Sequence, residues 1–239
     1  MKVALVLSGL PRKVVEGYES TWKHVVNTYD TDVYLHGWVD EEWDKIAQVY
    51  GTHNVQSLHL QKPFKFTHYK QGISLPHNDT SRPLPQYDVM SCFRQLPMMY
   101  SWQIAFRPVI DSQIPYDWVI RSRYDIGIAN PINLENLDSN QIHLARLNPM
   151  ATFYDDNLCI ANLKNSTLLF SDIFTRLIAH ARTVGVLQNA ESSWNTMVQS
   201  VGLSPFVHLD LNLRFRLLRD NWLWWGDANG NIITEKVLT

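Results

Sequence analysis

Five consecutive apolar residues, Val3 to Leu7, stand near the start of the chain and stop at Ser8-Gly9. A continuous apolar run ended by a turn signal predicts a strand buried on both faces, as in a parallel sheet. Val14, Val15, Tyr18, Trp22, Val25 and Val26 then recur at helical spacing and predict one amphipathic helix, with Pro11 near its start. Asp32 to His36 reads as a second strand. Strand, helix, strand in that order predicts a right-handed βαβ unit.

Further along, a short helix is expected over Glu41–Tyr50 and a third strand over Val55–Leu60. Residues 61–87 carry Pro63, Pro76, Pro83 and Pro85 without periodicity, which predicts a long loop. Residues 89–113 look helical but hold Pro97 and Pro108, so the helix either kinks at Pro97 or begins there. Tyr116–Ile120 is a strongly apolar strand, and Gln141–Leu144 and Asn157–Ala161 read as shorter ones. One helix is expected over 166–183, with Leu168, Leu169, Ile173, Leu177 and Ile178 inward. Another covers 190–201 and carries Trp194, Met197 and Val198. Alternation of this kind predicts a single α/β domain, residues 1–239, with a mostly parallel, mixed sheet flanked by helices. The tail, 210–239, packs on that domain or extends it.

Composition narrows the partners. Charged residues make up 18% of the 239, below the usual quarter, and nine residues are Trp, so some indole rings are expected to line a groove. The net charge is −2 and the 21 basic residues form no run, which argues against nucleic acid as a partner. A nucleoside diphosphate needs only two or three placed cations. Cys92 and Cys159 have no metal spacing and read as reduced thiols. The apolar run at the start is too short for a signal peptide, and no stretch reaches the length of a transmembrane helix, so the expected compartment is the cytoplasm. Nothing in the pattern indicates the oligomeric state.

Two turns carry the candidate chemistry. Ser8-Gly9-Leu10-Pro11-Arg12 links the first strand to the first helix. There a glycine lets backbone approach a ligand, helix N–H groups face phosphate, and Arg12 can clamp it. The alternative is an ordinary tight turn with a solvated Arg12. Arg121-Ser122-Arg123-Tyr124-Asp125 follows the strand at Tyr116–Ile120. If strand geometry persists, Arg121, Arg123 and Asp125 share one face, which suits a diphosphate with a divalent metal on Asp125. The alternative is an internal salt-bridge network. Asp155, Asp156 and Glu191 are candidates for a catalytic base or an acceptor contact; the alternatives are loop carboxylates in a turn for the Asp pair and charge complementing the helix dipole for Glu191. Trp38 and Trp194 are candidate stacking surfaces for a sugar. His36 reads as a satisfied structural residue. No H-E-x-x-H, Walker A, GxGxxG or G-x-S-x-G motif is present, which argues against metalloproteases, P-loop kinases, dinucleotide dehydrogenases and α/β-hydrolases.

Val3-Ala-Leu-Val-Leu-Ser-Gly-Leu-Pro-Arg12, Asp32-Val-Tyr-Leu-His-Gly-Trp38 and Tyr116-Asp-Trp-Val-Ile-Arg-Ser-Arg-Tyr-Asp125 together resemble short viral and bacterial glycosyltransferases with a GT-A-like fold. Those sequences carry SGxPR, DVFIHTW-like and VIRxRxD-like segments in this order. An Asp-bearing segment follows, here Phe153–Ala161, and then a late helix with a Glu, here Glu191. The resemblance runs to about Asp220. It implies a nucleotide-sugar donor, a glycan or polysaccharide acceptor, and Mn²⁺ or Mg²⁺ at Asp125, where such enzymes place the last carboxylate of a DxD motif. Arg123 stands where that motif has its first Asp, so an arginine takes over part of the metal's work on the diphosphate. Two other readings stay open: a non-catalytic nucleotide-sugar or carbohydrate-binding module of the same fold, and a sulfotransferase-like enzyme, which lacks the Ser/Thr-Gly-Thr turn expected of it.

Overall fold

The computed structural model describes the chain except residues 41, 52, 74–88, 146–155, 186, 188–189, 211–214, 219–221, 227–231 and 237–239. For residues 70, 89–94, 145, 191, 210, 216–217, 222–226 and 232–236 only the backbone is described. The first strand, β1 (Lys2–Gly9), leads into helix α1 (Val14–Thr21), which continues as a π-helical turn at Trp22–Val26. β2 (Asp30–Trp38), α2 (Trp43–Tyr50) and β3 (Val55–Gln61) follow. Helix α3 (Val89–Asp111) contains both prolines, so it does not begin at Pro97. Then come β4 (Trp118–Ser122), β5 (Ile126–Ile128), β6 (Ile142–Ala145) and β7 (Cys159–Ala161). Helices α4 (Leu163–Phe170), α5 (Ile173–Val184) and α6 (Ala190–Ser200) precede four short strands: β8 (Val207–Asp210), β9 (Phe215–Leu217), β10 (Trp222–Gly226) and β11 (Ile232–Lys236).

Seven strands form one mixed sheet in the order β3-β2-β1-β4-β7-β6-β8. β3, β2, β1 and β4 are mutually parallel, β7 runs antiparallel to β4 and β6, and β8 is parallel to β6. β1 lies between two parallel partners, and Val3 to Leu7 are fully buried. A strand covered on both faces has no use for alternation, which is why these five positions read as a continuous apolar run.

The two faces of β1 feed two cores. Ala4 and Val6 join Tyr34, Leu96, Met99, Trp102, Phe106, Phe170 and Trp194 beneath α3–α6. Val3, Leu5 and Leu7 join Val14, Leu35, Ile46, Tyr50, Tyr124 and Phe215 on the side of α1 and α2. Each large aliphatic side chain buried this way contributes roughly 1.5–3 kcal/mol. Beyond the sheet, β9 pairs antiparallel with β5 and inserts Phe215 into the second core, so part of the tail docks onto the strand that follows Asp125. β10 and β11 form a hairpin.

One expected helix is two. The stretch expected as 166–183 is interrupted between Phe170 and Ile173, and Leu168, expected inward, is 44% exposed. Arg176 explains the break: its Nη2 donates to the carbonyls of Leu168 and Leu169 at the end of α4, and its Nε pairs with Asp172 at 2.6 Å. Among the described residues no helix is long and apolar enough to cross a membrane.

Candidate ligand site at the β1–β4 edge

After β1 the chain adds β2 and β3 on one side, then crosses to place β4 on the other. Strand order therefore reverses between β1 and β4. In open α/β sheets a crevice forms outside the carboxyl ends of the strands at such a reversal. Leu7 pairs with Ser122, so Ser8-Gly9 and Arg123 leave neighbouring strand ends. On the other side of β1, Ser8 pairs with His36 and Gly9 with Gly37. Because β7 is antiparallel to β4, with Arg121 opposite Cys159, it is the beginning of β7 that reaches this edge. The segment Asp156-Asn157 thus arrives beside the Arg121–Asp125 turn.

Helix α1 ties the two turns together. A Cβ on Gly17 would stand 1.9 Å from the Tyr124 carbonyl oxygen, so only glycine lets α1 lie this close to the Arg121–Asp125 turn. Ser20 Oγ accepts from the Ile128 N–H at 2.7 Å, and Leu218 N–H donates to the Asp125 carbonyl at 2.9 Å. The turn is held from both sides.

Ser8 is 1% exposed, and its hydroxyl meets no partner among the described residues. Strand alternation puts it on the α3 face with Ala4 and Val6. Gly9 has φ +118, and no described atom comes within 4 Å of where its Cβ would be, so the backbone there stands open to an incoming group. Arg12 is exposed and makes no ion pair among the described residues. The first N–H of α1, one of those expected to face phosphate, is already taken. Val14 N–H donates to the Glu42 carboxylate at 3.1 Å. Burial would raise the Glu42 pKa, but that bond together with Lys45 and Lys13 holds it below the ordinary range.

The charged turn is arranged differently from its sequence expectation. β4 ends at Ser122, so the strand alternation that would put Arg121, Arg123 and Asp125 on one face stops short of Arg123. Arg121 is buried, its guanidinium 3.6 Å from the Trp102 ring centroid, and its Nη1 donates to the Asp156 carbonyl. Arg123 and Asp125 form a bidentate pair, Nε to Oδ1 at 2.8 Å and Nη2 to Oδ2 at 2.9 Å. Nη1 of Arg123 also donates to Asn157 Oδ1 at 3.1 Å.

No family model and no curated protein matches this chain. The site's chemistry rests on its own side chains.

Among the described residues those side chains do not assemble a site for a divalent cation. Both carboxylate oxygens of Asp125 accept from Arg123, and among the described residues no three His, Cys, Asp or Glu side chains gather where they could hold a metal ion. Hard cations want several oxygen ligands with open lone pairs. What the edge offers instead is the Arg123 guanidinium over one buried carboxylate, with Arg121 stacked on Trp102 behind it, an open glycine, and a hydroxyl that meets no partner among the described residues.

The stacking surfaces expected at Trp38 and Trp194 are also corrected. Trp38 packs among Phe64, Phe66 and Tyr100, and Trp194 against Trp102 and Phe170; both are core residues. Asp156 is half-buried near the turn and contributes its carbonyl to Arg121. Asp155 lies outside the described residues. Glu191 lies in the first turn of α6, with its side chain outside them. His36 is satisfied, as expected: Nε2 donates to Gln61 Oε1 at 3.4 Å and Nδ1 accepts from Ser101 at 2.6 Å. Burial lowers its pKa to about 4. Sequence reading missed Asn157, Trp102 and Glu42. Asn157 adjoins the Asp pair and was within reach of that motif, whereas Trp102 and Glu42 act through long-range packing that no local pattern encodes.

Proposed function

We propose that this chain is a nucleotide-sugar-dependent glycosyltransferase with a GT-A-like fold, its donor lying across the carboxyl edge of β1 and β4. The observation that carries the reading is the reversal of strand order, which brings Ser8-Gly9 and Arg123 to one edge. Gly9 leaves room for a diphosphate to approach backbone, Ser8 supplies a hydroxyl with no other use among the described residues, and the guanidinium of Arg123 offsets charge on the departing diphosphate. Asp156, Asp155 and Glu191 are the carboxylates proposed to receive the acceptor's hydroxyl proton. The resemblance in the order of the three motifs supports the same reading.

A thermal-shift screen against UDP-, GDP-, CMP- and dTDP-sugars tests it, followed by an assay for donor hydrolysis. One donor should raise the melting temperature and be slowly hydrolysed. A donor that stabilises the chain without hydrolysis or transfer makes it a binding module, and no response to any donor removes the reading.

A further inference from the structure

We infer that this edge takes the phosphate or diphosphate of its ligand directly on Arg123, without a divalent cation, and that Asp125 stands behind the guanidinium as its positioning residue. The inference rests on the reading of this edge as the donor site.

Exposure decides which member of the pair faces outward. The Arg123 side chain is 20% exposed and that of Asp125 is 1% exposed. A carboxylate that ligates a metal has to face the ligand, whereas here it lies beneath the guanidinium. A guanidinium carries five N–H donors. Three of them go to Asp125 and Asn157, and the remaining two, one on Nη1 and one on Nη2, meet no acceptor among the described residues. A planar fork with two donors to spare, at an open strand end, matches two oxygens of a phosphate.

Its neighbours favour an anion as well. On the adjoining strand end Ser8 Oγ is a buried donor that meets no partner among the described residues. Arg121 lies two residues before Arg123 and places a second guanidinium behind the same turn, stacked on Trp102. A metal on the Asp125 carboxylate would bring a third cation to a turn that already holds Arg121 and Arg123. Three anchors fix the fork in advance: the bidentate carboxylate, Asn157, and the Leu218 N–H that holds the Asp125 backbone. A fork oriented before the ligand arrives pays no reorganisation on binding.

The test is binding of inorganic pyrophosphate, followed by calorimetry and thermal shift, in EDTA and then with Mn²⁺. Wild type, Arg123→Gln, Arg123→Lys and Asp125→Asn are compared at matched stability by circular dichroism. Pyrophosphate should bind wild type in EDTA, and Mn²⁺ should not tighten it. Arg123→Gln should weaken binding roughly tenfold or more, and Arg123→Lys, which keeps the charge and loses the fork, by a smaller factor. Asp125→Asn should weaken it about three- to tenfold while leaving binding independent of metal. If Arg123→Gln does not fold, Arg123→Lys carries the comparison. Binding that requires Mn²⁺, is lost in Asp125→Asn and survives in Arg123→Gln overturns the inference and leaves the glycosyltransferase reading in place. Tight pyrophosphate binding in EDTA with no response to any nucleotide sugar leaves the phosphate fork standing and removes that reading. Absence of pyrophosphate binding under both conditions overturns the inference.

Discussion

The Tyr124 carbonyl oxygen occupies the place where a side chain on Gly17 would begin, 1.9 Å from an ideal Cβ. In an exposed helix Gly→Ala gains about 1 kcal/mol. Here the obstacle is backbone, which cannot swing aside as a flexible side chain does. Overpacking of this kind costs about 1–3 kcal/mol, so the loss outweighs the propensity gain. Gly17→Ala should lower the urea midpoint, while Glu19→Ala, exposed on the same helix, should leave it within about 0.5 kcal/mol. An unchanged or raised midpoint for Gly17→Ala means α1 can slide without cost.

His36 makes stability depend on pH. Burial lowers its imidazole pKa to about 4, from an ordinary 6.5. As pH falls, the unfolded chain takes up this proton first. The contribution is therefore fully present above about pH 6.5 and is lost as pH falls from there toward 4. Each unit of that window costs about 1.4 kcal/mol, so falling from pH 6.5 to 4.5 removes about 2.5–3 kcal/mol. Wild type should lose that much more than His36→Gln between pH 7.5 and 4.5, measured by urea unfolding. Parallel losses in the two proteins rule the mechanism out.

Much of the sheet was legible because β1 and β4 carry apolar runs closed by turn residues, and β2 carries Val33-Tyr34-Leu35 at its centre. The helix break at Ser171–Asp172 was not, because it depends on Arg176 reaching back to the Leu168 and Leu169 carbonyls while the apolar period carries on through it. Trp194 and Trp38 show a second limit. An indole in a core and one lining a groove are the same letter, and only packing against Phe170 or Phe64 separates them. At the candidate site the two turns were visible as motifs, but the orientation of Arg123 over Asp125 was not. It depends on β4 ending at Ser122, one residue before the side chain in question.

At the opposite edge of the sheet Asp32 is 1% exposed and anchors a network. Tyr116 donates to its Oδ2 at 2.6 Å. Having spent its one proton, Tyr116 accepts from Tyr34 at 2.7 Å. Lys2, Asn54 and Gln56 serve Oδ1. Tyr116→Phe removes a donor to a buried carboxylate and should cost about 1.5–3 kcal/mol. Tyr34→Phe removes only a neutral bond and should cost about 1 kcal/mol. Chemical denaturation of both variants checks the order, and a reversed order would show that Asp32 does not depend on Tyr116.

Ser8→Ala separates a residue kept for the fold from one kept for a ligand. The hydroxyl is buried and has no partner among the described residues, so in the ligand-free chain it pays desolvation without a compensating bond. Removing it should leave stability unchanged or raise it by up to about 1 kcal/mol. If the hydroxyl donates to the diphosphate of a bound donor, the same change should weaken that donor about tenfold, the loss of one bond to a charged group. Melting temperature without ligand and affinity for the stabilising nucleotide sugar are read on the same preparation. A structural serine would move the first downward and leave the second alone. A ligand-binding serine does the reverse, and a variant that is less stable yet binds the donor as well as wild type would take Ser8 out of the site.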